Sequence, residues 1–157
     1  MNHVGARHHI PWVVAHGCCA PEIENLTHAT YDWKRLGIDD IAEAPEMADL
    51  LIVAGWINES MAQEIKLAYA RLRKPSYVLA IGACALTGSP YALAKENSAE
   101  KIIKIADILP VDIFVPGCPP RPESLIDAIL DLQRKITPPP SKEKVLHEAF
   151  RHRRPGP

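Results

Sequence analysis

Residues 49–55 read Asp-Leu-Leu-Ile-Val-Ala-Gly, an unbroken apolar run between an acidic residue and a glycine. A strand with one solvated face alternates apolar and polar residues, whereas a strand covered on both faces is apolar throughout. The run therefore predicts an inner strand of a parallel sheet with helices on both sides.

Three further apolar runs, at residues 10–15, 77–82 and 111–115, predict additional strands of the same sheet. The segments between and after them have helical patterns, at residues 21–36, 59–73, 98–107 and 123–136. Pro21 and Pro122 suit first helical turns, and Gly37 suits a helix terminus. This alternation predicts an α/β fold, a flavodoxin-like or Rossmann-like layer of about four parallel strands with helices on both faces.

Length and charge exclude several functional classes. A chain of 157 residues is expected to form one domain. Its 18 basic and 19 acidic residues give a net charge of −1, which offers no support for nucleic-acid or membrane-surface binding. The longest nearly unbroken apolar stretch, residues 50–57, is far shorter than the roughly 18–20 residues of a membrane-spanning helix. We therefore expect partner subunits to hold the chain at a membrane if it acts there.

The last part of the chain differs in composition from the rest. Residues 138–157 begin with three prolines and carry more basic than acidic residues. Consecutive prolines form a stiff extended spacer that cannot continue a helix. The sequence thus predicts an α/β domain over residues 1–137 and a C-terminal arm over 138–157. The arm is either a disordered basic tail or a segment that orders against a partner.

The four cysteines follow the predicted strands. Cys18 and Cys19 come after the first strand, Cys84 after the third and Cys118 after the fourth. Because the carboxyl ends of parallel strands meet at one edge, where open α/β sheets bind ligands, the four thiols are expected in three loops of that edge.

Four explanations of these cysteines differ in their chemistry. Buried inert thiols would have no reason to share one edge, and disulfides are rare in a reducing compartment. A structural zinc site usually uses C-x₂₋₄-C pairs, which are absent from this sequence. A [4Fe–4S] cluster presents four irons at different corners to diverging thiolates, and it accounts best for the adjacent Cys18 and Cys19.

Three motifs carry a family resemblance, at residues 16–22, 82–84 and 110–120. The third reads Pro-Val-Asp-Ile-Phe-Val-Pro-Gly-Cys-Pro-Pro and is highly specific. Over residues 10–136 the chain resembles the cluster-bearing small subunit shared by respiratory complex I (its 20 kDa, or B-type, component) and membrane-bound [NiFe] hydrogenases. The resemblance implies one [4Fe–4S] cluster, the last of an electron chain, with four ligands: Cys18, Cys19, Cys84 and Cys118.

The same resemblance implies a set of partners. Electrons would arrive from a ferredoxin-like two-cluster subunit and leave to a large catalytic subunit of the hydrogenase or 49 kDa type. Membrane-embedded subunits would hold this peripheral chain at the cytoplasmic face of the cell membrane, and no nucleic acid is expected as a partner.

Departures from the family pattern bear on the electron acceptor. Cys18 and Cys19 are adjacent, as in the complex I branch, but Glu22 is followed by Ile23 and Glu24 where complex I members usually have two methionines. This mixture looks most like the archaeal ferredoxin-linked membrane complexes of the hydrogenase or sulfane-reductase type. We expect protons or sulfane sulfur as acceptor; a quinone-reducing component of the complex I type and a non-redox, zinc-stapled interaction module are the alternatives.

Three polar residues near the cysteines could tune the cluster or couple it to protons. They are His16, Glu22 and Arg121. Each also has a simpler interpretation, as a loop histidine, a first-turn helix charge and a surface cation.

Overall fold

A parallel sheet of four strands forms the centre of the computed structural model, which describes residues 8–88 and 101–136. The strands are β1 (Pro11–Ala15), β2 (Leu50–Ala54), β3 (Tyr77–Ile81) and β4 (Ile113–Val115). Their order follows the chain, β1-β2-β3-β4, and every neighbouring pair is parallel. The predicted α/β architecture is confirmed. The described strands follow one another across the sheet in chain order, whereas the strand order of flavodoxin itself is 2-1-3-4-5.

Strand β2 lies inside the sheet and is buried along its whole length. Successive side chains of a strand point to opposite faces. Accordingly, Leu50 and Ile52 join the core on one face, while Leu51 and Val53 join the core on the other. This double burial is the reason for the apolar run at residues 50–54.

Helices cover both faces of the sheet, as predicted. On one face lie α1 (Ala20–Thr27) and α4 (Pro122–Ile136), and on the other lies α2 (Glu59–Arg71). Helix α4 buries Leu125, Ile129 and Leu132 along one stripe. Replacing one of these fully buried side chains by alanine should cost about 2–5 kcal/mol of stability.

The first predicted helix, residues 21–36, is wrong beyond Thr27. Helix α1 ends there, His28 is extended, Asp32 is left-handed, and a separate 3₁₀ turn follows at Trp33–Leu36. The Thr27 hydroxyl and the His28 ring both hydrogen-bond the Glu24 carbonyl. Side chains that compete for the last carbonyls in this way favour a helix end.

The predicted helix at residues 98–107 is also wrong in its described part. Ile103 forms an isolated antiparallel bridge with Ile57, and only a 3₁₀ turn follows, at Ile105–Asp107. The Ile103 amide donates to the Ile57 carbonyl at 2.8 Å, and Ile105 is fully buried. The bridge holds Ile103 in an extended conformation, and Ile105 packs into the core from the 3₁₀ turn. Residues 98–100 and the predicted arm, residues 138–157, lie outside the described residues.

A short helix that the sequence did not predict follows β3 directly. Helix α3 (Gly82–Thr87) begins at the residue after the strand ends. Cys84 therefore lies in the first turn of a helix rather than in a loop.

Candidate metal centre

All four cysteines lie just beyond the carboxyl ends of strands. Cys18 and Cys19 occupy a 3₁₀ turn, Gly17–Cys19, between β1 and α1. Cys84 lies in α3 after β3, and Cys118 follows β4. Because the strands are parallel, these segments meet at one edge of the sheet.

Burial and neighbouring thiols disfavour the charged forms of Cys19 and Cys84. Burial, Cys18 (through charge and a side-chain hydrogen bond), and the charges of Cys84 and Cys118 raise the pKa of Cys19 to about 12. Burial raises the pKa of Cys84, and the charges of Cys118 and Cys18 add to this effect. Four thiolates at this edge would therefore need a cationic centre to stabilise them.

The four thiols differ in exposure. Cys19 and Cys84 are 2% and 6% exposed and face the core, whereas Cys18 and Cys118 are exposed at the surface. A group bound by all four cysteines would thus lie at the protein surface, with two buried ligands on its inner side and two exposed ligands on its outer side.

Two glycines make room for the ligand segments. Gly82 has φ +85°, and a Cβ atom there would lie 2.5 Å from the Cys19 Sγ atom. Gly117 has φ +151°, and its Cβ would lie 2.4 Å from the Pro120 Cα atom. The Gly117 carbonyl also accepts a 2.7 Å hydrogen bond from the Ala83 amide, which ties the Cys118 segment to α3. These glycines belong to the quoted motifs, but their packing role is visible only in the structure.

His16 lies at the same edge, between β1 and the cysteine turn. Its ring meets the Trp56 ring edge-on, with centroids 5.3 Å apart. A Cβ atom at Gly55 would lie 2.6 Å from His16 Nε2, so the imidazole fits at this position because residue 55 has no side chain. Nε2 is buried and has no hydrogen-bond partner among the described residues. The structure thus packs His16 rather than leaving it in an open loop.

Glu22 and Arg121 occupy the first turns of the helices that follow the cysteines. Glu22 is half-buried in the first turn of α1, for which Cys19 is the N-cap residue. Arg121 is exposed immediately before α4, and its carbonyl accepts hydrogen bonds from the Ser124 and Leu125 amides. Its backbone therefore starts the helix. The positive ends of α1 and α4 lie beside the cysteine segments, which favours an anionic group there.

The donor set fits an iron–sulfur cluster in its chemistry: four sulfur atoms from three chain segments, with two helix N-termini beside them. Within residues 8–88 and 101–136, no three or more His, Cys, Asp or Glu side chains are arranged to hold a single metal ion.

The fold and the site together define a class of α/β proteins with a cysteine site at the carboxyl edge of a parallel sheet. The chain belongs to the family described as NADH ubiquinone oxidoreductase, 20 Kd subunit, whose profile matches residues 3–132. The resemblance seen in the motifs is confirmed, as is membership of a family of multi-subunit oxidoreductase subunits.

Curated relatives are the B-type components of NADH-quinone oxidoreductases. The chain is 39% identical to the one from Phocaeicola vulgatus over 126 residues, 80% of this chain and 62% of that one. It is 42% identical to one from Streptomyces griseus over 127 residues, 80% of this chain and 52% of that one. For Clostridium beijerinckii the identity is 41%, over 88% of this chain and 80% of the relative. The chain thus spans only about half to four-fifths of these relatives.

Two solved structures share the fold. A chain of the membrane-bound sulfane sulfur reductase, an archaeal respiratory membrane complex, superposes with a TM-score of 0.68 at 32% identity, covering 81% of this chain and 70% of that chain. A chain of an NAD⁺-reducing [NiFe]-hydrogenase superposes with a TM-score of 0.64 at 18% identity, covering 87% of this chain and 97% of that one. The second likeness concerns the fold alone. None of the helices in the described part of this chain has the length and apolar content needed to cross a membrane.

Proposed function

We propose that this chain is an electron-transfer subunit that holds one [4Fe–4S] cluster through Cys18, Cys19, Cys84 and Cys118. The observation that supports the proposal is that all four cysteines follow the carboxyl ends of strands of one parallel sheet. Names of the family relatives, all oxidoreductase subunits, support the same role.

A [4Fe–4S] cluster supplies one-electron transfer when bound. The chain's own residues would provide its surroundings. Cys19 and Cys84 face the core and exclude water on that side, while the amino ends of α1 and α4 favour negative charge. Cys18 and Cys118 face outward, which is the side on which an electron partner has to approach.

The proposed partners follow from this geometry and the family. A large catalytic subunit of the hydrogenase or 49 kDa type would cover the exposed thiols, and a ferredoxin-like two-cluster subunit would deliver electrons. Membrane-embedded subunits would hold the chain peripherally at the cytoplasmic face of the membrane.

We infer that the acceptor is protons or sulfane sulfur. Ile23 is buried and Glu24 is exposed on α1, close to the cysteine turn. A carboxylate in an interface would cost several kcal/mol to desolvate unless it is paired or protonated. Glu24 therefore suits a hydrated or charge-paired contact better than the apolar wall of a quinone site.

Quinone reduction is the second candidate, because the curated relatives are named as components of NADH-quinone oxidoreductases. Turnover of the purified complex with reduced ferredoxin separates the two. Release of hydrogen or sulfide would support the proposal. Rapid reduction of a menaquinone analogue that quinone-site inhibitors block would favour the second candidate.

We also propose that residues 138–157 are an arm that binds a partner subunit. Removing them should leave cluster content unchanged but lower the yield of the assembled complex. A normal yield of complex would indicate instead a tail without a docking role.

A further inference from the structure

Two hydrogen bonds join the segment that follows α1, up to residue 36, to α4. The Tyr31 hydroxyl donates a 3.1 Å hydrogen bond to Glu123 Oε1, in the first turn of α4. Near the other end of that helix, Gln133 Nε2 donates to the Leu36 carbonyl. Residues 28–36, which we call the strap, therefore run alongside α4.

The strap is also anchored in the core. Trp33 is buried, and Tyr31 and Leu36 pack against the same core that α1 and α4 share. The Glu123 hydrogen bond, burial and the charges of Glu123 and Glu22 raise the pKa of Tyr31. The strap needs the early end of α1 at Thr27, which frees these residues to reach α4.

Tyr31 and Glu123 both lie in segments of the chain that follow cysteines. Tyr31 follows α1, whose N-cap residue is Cys19. Glu123 lies in the first turn of α4, five residues after Cys118. The bond thus links α4 to the strap that follows α1 in the chain.

We propose that Tyr31 is a positioning residue, which, through its hydrogen bond to Glu123, fixes the Cys118 segment relative to the Cys18–Cys19 turn. This inference rests on the proposed cluster-binding function. Without the bond, the amino end of α4 and the exposed Cys118 segment before it lose one of their attachments and should admit more water. The burial of Leu125 and the Ala83–Gly117 hydrogen bond remain. Water favours the more negatively charged, reduced state of a thiolate-ligated cluster, so the reduction potential should rise.

The test compares substitutions that remove the hydrogen bond with one that keeps it. Tyr31→Phe and Glu123→Ala remove it, whereas Glu123→Gln removes the charge but retains an oxygen acceptor for the phenol. The measurements are the midpoint potential by EPR-monitored redox titration and the rate of bleaching by an iron chelator. Both are made on the full-length chain, purified anaerobically with the subunits that accompany it.

We expect Tyr31→Phe and Glu123→Ala to raise the potential and to bleach several-fold faster. The potential and bleaching rate of the double variant should equal those of either single variant. Glu123→Gln should have values close to those of the unsubstituted chain. Asp49→Asn, at the opposite edge of the sheet, is the control for loss of stability alone and should leave the potential unchanged.

Three outcomes would overturn the inference. An unchanged potential and bleaching rate in Tyr31→Phe would do so while leaving the cluster proposal intact. An equal shift in Glu123→Gln and Glu123→Ala would assign the effect to charge rather than to position. Absence of any cluster in the unsubstituted chain would overturn the proposed function itself.

Discussion

A Cβ atom on Gly82 would lie 2.5 Å from the Sγ atom of Cys19, a distance that non-bonded atoms do not tolerate. The first residue of α3 thus sets the space available to a cysteine that precedes α1. This contact joins the segments after β1 and β3, and it makes residue 82 part of the candidate site although it has no side chain.

Gly82→Ala should therefore displace Cys19 and lower the iron bound per chain. Gly17→Ala is a matched control, because Gly17 also has a positive φ, +67°, but a Cβ there meets nothing within 4 Å. The backbone strain common to both should cost about 1–2 kcal/mol. Chemical denaturation and iron analysis should show a larger loss for Gly82→Ala; equal losses would mean that the contact with Cys19 is unimportant.

Cys84→Ser should lose or degrade the cluster, because an alkoxide is a harder and poorer iron ligand than a thiolate. The other residues of the first turn of α3 are glycine and alanine, so no other side chain of that turn can bind iron in its place. Ala85→Ser adds a hydroxyl at the next residue and removes no ligand, which makes it the control. The EPR spectrum of the reduced protein is the measurement. A spectrum unchanged by Cys84→Ser would exclude Cys84 as a ligand.

Asp49→Asn should destabilise the fold without touching the cysteine edge. Asp49 accepts hydrogen bonds from the buried His9 ring at 3.0 Å and from the Ile10 amide at 2.8 Å. Asparagine keeps one acceptor oxygen for these two donors, so one donor is left unsatisfied, which costs about 1–3 kcal/mol. Asp39→Asn is the control: its partner, His8, is exposed, and surface pairs contribute little.

The same pair predicts how stability depends on pH. Burial acts to raise the pKa of Asp49, but the hydrogen bonds from His9 and Ile10 and the charges of His9 and Arg73 outweigh it, so the pKa lies below its ordinary value of 3.8. The carboxylate therefore contributes its full stability above about pH 4 and loses it as the pH falls through the lowered pKa. Urea unfolding between pH 7 and pH 3 should show a smaller acid-induced loss for Asp49→Asn than for the unsubstituted chain. An equal loss of unfolding free energy with falling pH in both chains would contradict this role of Asp49.

The sequence predicted the sheet well because double burial leaves an unambiguous pattern. The run at residues 50–54 is apolar because every one of its residues is buried. The position of the cysteines after the strands can be read from the order of residues in the sequence. The end of α1 was missed because Trp33 continues a helical spacing from Ile23 and Leu26, although tertiary contacts bury it in a separate turn. Propensity does not encode such contacts.

The glycine contacts of the site were equally beyond the sequence. A glycine in a strand-to-helix turn indicates a tight bend, but the partner of its missing side chain lies on another segment of the chain. The packing of His16 over Gly55 is of the same kind. Such relationships depend on which segments meet at the sheet edge, and they become visible only when the strands are placed side by side.

The most direct test of the central claim is the metal content of the full-length chain, purified anaerobically with its companion subunits. The claim is our proposal that Cys18, Cys19, Cys84 and Cys118 bind one [4Fe–4S] cluster. Replacing these four cysteines together should therefore remove about four iron and four sulfide ions per chain, together with one EPR signal of the reduced protein. Loss of one zinc ion instead, with iron and sulfide unchanged, would contradict the claim.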